Sequence, residues 1–392
     1  AQDQHIVNIV DWLLQYAFEQ RASDIHLEPR RSKGKVRFRI DGVLHLVYEL
    51  PDNVMTAMIS RLKILGRMDV AEKRRPQDGR IKTKAPNARE VELRLSTMPT
   101  AFGEKLVMRI FDPDVLLRSF SQLGLVAEDY AQWQSMIKRA HGIVLVTGPT
   151  GSGKTTTLYS TLKQLATDSV NVSTVEDPIE MVVDSFNQSQ IQPAIDFDFA
   201  SGIRTLMRQD PDIIMVGEIR DHATAEMAVQ AALTGHLVLS TLHTNDAPTA
   251  ISRLLDLKMP AHLIKATLNG VMAQRLVRTL CPDCRREVDC DRDAWQEIVG
   301  SAALLPPAKV YQPAGCLECR DTGYLGREGI YEIMPLTNAL LTYISSESDI
   351  QEIRQAAISQ GMKTLRMAGA EKVVAGITSM AEVLRVTPEL GR

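Results

Sequence analysis

The residues with the clearest chemistry lie between two short stretches of regular pattern. Gly148, Pro149, Thr150, Gly151, Ser152, Gly153, Lys154 and Thr155 have the spacing G-x-x-x-x-G-K-T. Four apolar residues, Ile143 to Val146, precede them, and a helix-like stretch from Thr156 to Ala166 follows. A loop of this kind turns successive backbone N–H groups toward phosphate oxygens, and the helix N-terminus behind it adds a favourable dipole. Lys154 is expected to reach the β- and γ-phosphates of ATP. The Thr155 hydroxyl is expected to ligate Mg²⁺.

Hydrolysis also needs a group that orients and deprotonates water, and a carboxylate suits that task. Glu176 and Glu180 follow the strand-like segment Val170 to Val175. Glu218 follows the run Asp212 to Val216, where an acid that supports the metal belongs. The residue directly after that run is Gly217, so the assignment of base and metal partner among Glu218, Glu180 and Glu176 stays open. His236 and His243 bracket a further run, Leu237 to Leu242. His243 is read either as a sensor of the γ-phosphate or as a satisfied structural histidine.

A second chemistry is carried by sulfur. Cys281 and Cys284 form one C-x-x-C pair, Cys316 and Cys319 another, with residues 285–315 between them. Two tight pairs suit a tetrahedral Cys₄ Zn²⁺ site with no open position, hence a structural one. The intervening length predicts a helix over about 292–300. Cys290 is read as a bystander. Arg275, Arg278, Arg285 and Arg286 nearby admit contact with nucleic acid, acidic lipid or an acidic partner.

The elements that must position these groups follow from pattern and length. The chain has 392 residues, 44% hydrophobic and 24% charged, with a formal net charge of −3. That is an ordinary globular composition of two or three domains, and not one that coats nucleic acid. No apolar run approaches a membrane span. Helix-spaced apolar residues from Ile6 to Ala17 lead into alternating segments at 23–28, 35–40, 43–50, 80–84, 90–97 and 104–111. These predict a mixed domain over about the first 112 residues. Arg94 and Arg109 fall on its strands, either on a solvated sheet face or facing a nucleotide's phosphates. Beyond a polar linker, apolar strands alternate with helices, which predicts a parallel, helix-covered sheet with its ligand beyond the carboxyl ends of the strands. Residues 330–392 are read as helices without chemistry of their own. The chain opens in polar, helix-like sequence, which is read as a piece lacking an upstream domain.

These motifs closely resemble those of the secretion ATPase superfamily of type II secretion and type IV pilus motors. The resemblance rests on TVEDPIE (174–180), RQDPDIIMVGEIRD (208–221), TGHLVLSTLHTN (234–245) and SDIHLEP (23–29). It implies an α/β protein: a RecA-like ATPase core with a parallel sheet (127–280), preceded by a PAS-like α+β domain (1–115) and a linker (116–126). A tetracysteine zinc insert (281–328) and a helical C-terminal subdomain (329–392) follow. It implies that Arg94 and Arg109 act on phosphate across a domain or subunit interface, and it matches Arg204, Arg208 and Arg220 to further motif arginines. It also implies a homo-hexamer at the cytoplasmic face of the inner membrane, docked to platform proteins through the upstream domain. The expected function is coupling of ATP hydrolysis to pseudopilus assembly and type II secretion, with type IV pilus extension as the alternative. A DNA translocase and a scaffold without turnover are the remaining rivals; no nucleic-acid partner is expected.

Overall fold

The computed structural model describes residues 2–302 and 304–389. The ends of the expected domain ranges at residues 1 and 390–392, and residue 303 of the expected insert, lie outside the described residues. The chain divides into two compact units, Ala1–Val115 and Leu116–Arg392.

The first unit holds α1 (Gln2–Glu19), β1 (Ala22–Glu28), β2 (Lys33–Ile40), β3 (Val43–Pro51), α2 (Asp52–Leu65), β4 (Gln77–Lys84), β5 (Glu90–Thr100) and β6 (Gly103–Phe111). Its six strands run in the order β3-β2-β1-β6-β5-β4, every pair antiparallel. Period-two alternation puts Ile25, Leu27, Val36, Phe38, Leu93, Leu95, Leu106 and Met108 on one face, buried with Leu13 of α1 and Met58 and Leu62 of α2. The opposite face is polar. A single row crosses it, because Arg39 pairs with Asp24, Asp24 with Arg109, Arg109 with Arg94 and Arg94 with Arg80.

A single turn, α3 (Pro113–Leu116), stands at the division. Then come α4 (Ala127–Ile137), β7 (Gly142–Thr147), α5 (Lys154–Leu165), β8 (Val172–Glu176), β9 (Asn187–Gln190), α6 (Phe199–Leu206), β10 (Ile213–Val216), α7 (His222–Leu233), β11 (Leu237–Leu242), α8 (Ala247–Asp256), α9 (Ala261–Thr267) and β12 (Leu268–Leu280). A small antiparallel pair, β13 (Arg286–Asp289) and β14 (Lys309–Gln312), flanks α10 (Arg292–Val299). The chain closes with β15 (Tyr324–Pro335), α11 (Asn338–Leu341), α12 (Ile350–Ser359), α13 (Leu365–Val374) and α14 (Met380–Val386).

Seven strands form the second unit's main sheet, in the order β15-β12-β7-β11-β10-β8-β9. All pairs are parallel except β12 with β15. Every residue of β7, β10 and β11 is buried, as a helix-covered parallel sheet requires. Alternate residues feed two cores: Ile143, Leu145, Ile214 and Val216 on one face, and Val144, Val146, Met215 and Leu239 on the other.

Two features depart from the sequence reading. Residues 330–335 extend β15 and do not start a helix. Their partner is β12, which the sequence pattern also conceals because it is buried along most of its length and so lacks alternation. The segment around the cysteines packs onto the second unit. Trp295, Ile298, Val299 and Val310 join the same core as the central strands.

Candidate active site

The parallel strands deliver their following residues to one edge of the sheet. β7 leads into the phosphate loop, β8 ends at Glu176, β10 is followed by Gly217 and Glu218, β11 by His243, and β12 carries Gln274 and Arg275. Thr147 closes β7 against the end of β11: its hydroxyl lies 2.6 Å from that of Thr244, whose N–H donates to it at 2.9 Å. Thr157 of α5 donates to Gln274 Oε1 at 2.6 Å, fixing the helix behind the loop to β12.

The loop is bent by its glycines. Gly153 stands at φ +88°, and a Cβ there would come within 2.7 Å of Gln274 Nε2. Lys154, the first residue of α5, is buried. Its Nζ donates to Gly148 O at 2.5 Å and Pro149 O at 3.1 Å, and lies 3.3 Å from His243 Nδ1. Burial, together with the Arg275 charge and against the pull of Glu218, draws the Lys154 ammonium down to about 8. The Ser152 hydroxyl is buried in the loop and bonds to no protein group. An unpaired donor beside a lysine held only by main-chain carbonyls and an imidazole is the polarity a phosphate group completes.

From Lys154 a line of contacts runs along the strand ends. His243 Nε2 lies 3.2 Å from Glu218 Oε2. With Lys154 donating to Nδ1, the geometry assigns the Nε2–H tautomer, which donates to Glu218. Glu218 Oε1 pairs with Arg220 at 3.1 Å, and Arg220 reaches Asp177 at 3.9 Å. His243, Glu218 and Arg220 are therefore brought together with Lys154. Gly217 stands between strand and acid, and a Cβ there would meet Val175 O and Phe199 at 3.4 Å and the Glu176 Cα at 3.5 Å, all ordinary contacts, so space alone does not demand glycine.

The other candidates are placed differently. Glu176 points into the interior, buried with Tyr159, Thr174 and Gln188, and its carboxyl is raised above the usual range, chiefly by burial. Glu180 is half-buried on the loop after β8. The Asp177–Pro178 bond in that loop is cis. Arg204 and Arg208 are exposed on α6 and just past it. Arg204 lies 3.9 Å from Met227 Sδ, and neither joins the line from Lys154. In the first unit, the Arg94 guanidinium lies 3.8 Å over the Phe111 ring and 3.4 Å from Glu92, with 19% of its side chain exposed. Arg109 is 65% exposed and pairs with Asp24 at 3.1 Å. Sequence reasoning missed Tyr159, Gln188, Gln190 and Gln274. Each is a polar residue at a buried or partly buried position, with no motif to announce it.

The four cysteines meet as expected. Cys281–Cys316 and Cys284–Cys319 Sγ separations are 3.8 Å, Cys316–Cys319 is 3.7 Å, and all four sulfurs lie within 4.8 Å of one another. A regular tetrahedron with bonds of about 2.3 Å has edges of about 3.8 Å, so the donor set fits zinc. Main-chain N–H groups of Gly315, Cys316 and Gly323 point at Cys284 and Cys319 sulfurs at 3.2–3.3 Å. Burial alone pushes the Cys319 thiol up, but the N–H groups of Cys316 and Gly323 and the neighbouring thiols outweigh it and hold it at about 7. Cys290 lies outside the cluster, directed at Asp291 O.

Comparison with known proteins matches residues 1–385 to the family described as type II/IV secretion system protein. The chain is 63% identical over 388 residues to the type IV pilus assembly ATPase TfpB of Acinetobacter baylyi, covering 99% of this chain and 66% of that protein. It is 45% identical over 387 residues to the type II secretion system ATPase E of Vibrio cholerae, covering 99% and 76%. The chain thus spans about two thirds of the first relative and three quarters of the second. Among solved structures, the ATPase DotB of Legionella pneumophila shares the fold with a TM-score of 0.70 at 22% identity, over 96% of this chain and 95% of that one.

Proposed function

The chain belongs to the type II/IV secretion system protein family; we propose that it is an ATP hydrolase whose turnover powers assembly of a type IV pilus. The observation that carries the finer reading is the contrast in identity, 63% to a pilus assembly ATPase against 45% to a type II secretion ATPase. Secretion by pseudopilus assembly, the function expected from the sequence, is the second reading, supported by that 45% relative over nearly the whole chain. Complementation separates them: returned to its host lacking the endogenous copy, the full-length protein restores surface pili and leaves exoprotein secretion unchanged. Restored secretion without pili overturns the pilus reading.

In this reading the phosphate loop and Lys154 hold the β- and γ-phosphates, and Thr155 with the strand-end carboxylates offers the oxygen ligands that Mg²⁺ takes. Bound Mg²⁺ supplies neutralisation of the charge that develops on the phosphates. Glu180 acts as the base that orients water, because it is a carboxylate half-buried on the loop beyond the carboxyl end of β8, the side of a parallel sheet where the ligand lies. Glu218, already held by His243 and Arg220, would help hold the metal, and its contact with His243 links it to Lys154. A recess of about 360 Å³ lined by Pro149, Asn245, Arg275 and Thr387 offers room for the nucleoside. Arg94 and Arg109 supply positive charge to the phosphates across a domain or subunit interface, and Arg204, Arg208 and Arg220 serve as further motif arginines. The first unit is PAS-like and the second RecA-like. The protein works as a homo-hexamer on the cytoplasmic face of the inner membrane, docked to platform proteins, with acidic lipid as a further contact. Cys281, Cys284, Cys316 and Cys319 hold a structural Zn²⁺. No helix among the described residues is long and apolar enough to cross a membrane.

A further inference from the structure

Glu176 ends β8 at the sheet edge where the acids gather, yet its carboxylate is turned inward and saturated. It accepts from the Tyr159 hydroxyl, from Thr174 Oγ1 at 2.8 Å and from Gln188 Nε2 at 3.2 Å. It also accepts from the main-chain N–H of Glu180. A carboxylate with four donors around its two oxygens has no lone pair left to take a proton from water. Its contacts instead lead outward along the loop it precedes.

That loop is held at several further points by the same neighbours. Tyr159 Oη lies 3.3 Å from Met181 O, and Gln188 Nε2 donates to Met181 O at 2.8 Å. Gln188 Oε1 accepts from Val183 N at 2.8 Å, and Gln190 Oε1 accepts from Ile179 N at 3.1 Å. The alternation of β9 turns Gln188 and Gln190 to one side, which explains a strand of polar residues at the edge of an otherwise apolar sheet. Tyr159 is the sixth residue of α5, whose first residues are Lys154 and Thr155, and it is fully buried. The helix that carries the phosphate loop is therefore hydrogen-bonded, through one hydroxyl and one carboxylate, to the main chain of Glu180.

We propose that Tyr159 and Glu176 are positioning residues for hydrolysis: together with Gln188 they register the Asp177–Glu180 loop on the phosphate-loop helix and so set where the Glu180 carboxylate stands. The proposal rests on the reading of Glu180 as the base. Loss of the bracket displaces the base without touching the groups that hold the phosphates. A displacement of about 1 Å costs roughly ten- to a hundredfold in rate, while nucleotide binding is left intact.

The test is a double-mutant cycle in the full-length protein, reading steady-state ATPase kcat, the KM for Mg·ATP and the Kd for mant-ATP. Tyr159→Phe is expected to lower kcat about tenfold or more, with KM and Kd within twofold of the parent. Introduced into Glu180→Gln, the same change is expected to have no further effect on kcat, since there is no base left to misplace. Gln188→Ala, on an edge strand, carries the same cycle should Tyr159→Phe fail to fold. Equal losses in both backgrounds, or a Kd that rises in step with the fall in kcat, overturn the proposal in favour of a general structural role. Full kcat in Tyr159→Phe with kcat lost in Glu180→Gln overturns the bracket alone. Full kcat in Glu180→Gln removes the base reading, and the coupling with it.

Discussion

The thiol cluster takes four sulfurs from two turns, Cys281–Cys284 and Cys316–Cys319, whereas the phosphate-loop site takes its groups from beyond the ends of β7, β10 and β11 and from within β12. In the first, covalent proximity within each pair does most of the placing. The sulfur spacings of 3.7–3.8 Å already match a tetrahedron, and nearby N–H groups aim at sulfur. In the second, Lys154, Glu218, His243 and Arg275 owe their meeting to strand register, and Lys154 spends its hydrogens on its own loop. A site closed by short-range geometry suits a permanent ligand. A site assembled from distant strand ends moves when the strands and loops shift, which suits a ligand that is exchanged and cleaved.

The largest expected effect tests the permanence of the thiol site. Removing its metal with a strong chelator, or changing Cys316→Ser, is expected to cost on the order of 10 kcal/mol of local stability. The readout is metal content, one Zn²⁺ per chain, together with hydrogen exchange of the amides of β13, α10 and β14. Purified protein with no zinc and unaltered exchange breaks the contrast. At the phosphate site, Lys154→Ala is expected to abolish turnover, a loss of about a thousandfold or more, or ~4 kcal/mol, with the melting temperature nearly unchanged. Persistent hydrolysis would remove the ATP-site assignment.

Glu332 shows what happens where a buried carboxylate belongs to neither site. It lies on β15 and accepts from the first N–H groups of α8 and α13, at 2.8 Å from Ala247 and 3.0 Å from Leu365. Burial, with Asp246 nearby, raises it to about 7. The folded protein then binds this proton more tightly than the unfolded chain, so stability falls as pH rises from about 4.5 to about 7, by roughly 3 kcal/mol. Glu332→Gln is expected to remove that slope from the denaturation free energy measured across the range. An unchanged slope shows the carboxylate to be ionised throughout.

Legibility in the sequence follows the same division. The cysteine pairs and the phosphate loop are dense local patterns, and both stand where their spacing predicts. The alternating strands of the first unit and the apolar runs of the second are equally plain, because each strand's burial is written in its own residues. What stayed hidden depends on partners far away in the chain. β12 and β15 bury most of their length against each other, and β15 carries Glu332 inside. Glu176 reads as a strand-end acid like Glu218, and only the positions of Tyr159 and Gln188 show that it faces the interior. Arg94 and Arg109 form one cross-strand row, a register that no single strand's sequence contains.

The smallest expected effect concerns Lys154 and separates an exchangeable site from a permanent one by its protons. Burial first, then the Arg275 charge, lowers the ammonium to about 8 in the nucleotide-free protein. Phosphate favours the charged form, so the nucleotide-bound lysine holds its proton to higher pH. Below pH 8 the proton is already present and this group adds no pH dependence to binding. Above it, binding must take up a proton, and the Kd for Mg·ATP is expected to rise by up to about tenfold per pH unit, or ~1.4 kcal/mol. Calorimetry at pH 8.5 in two buffers of different ionisation enthalpy measures the proton taken up directly. A Kd constant from pH 7 to 9.5, with no buffer-dependent heat, means that the carbonyls of Gly148 and Pro149 keep Lys154 charged without help from the ligand. In that case the phosphate loop is as preset as the thiol cluster.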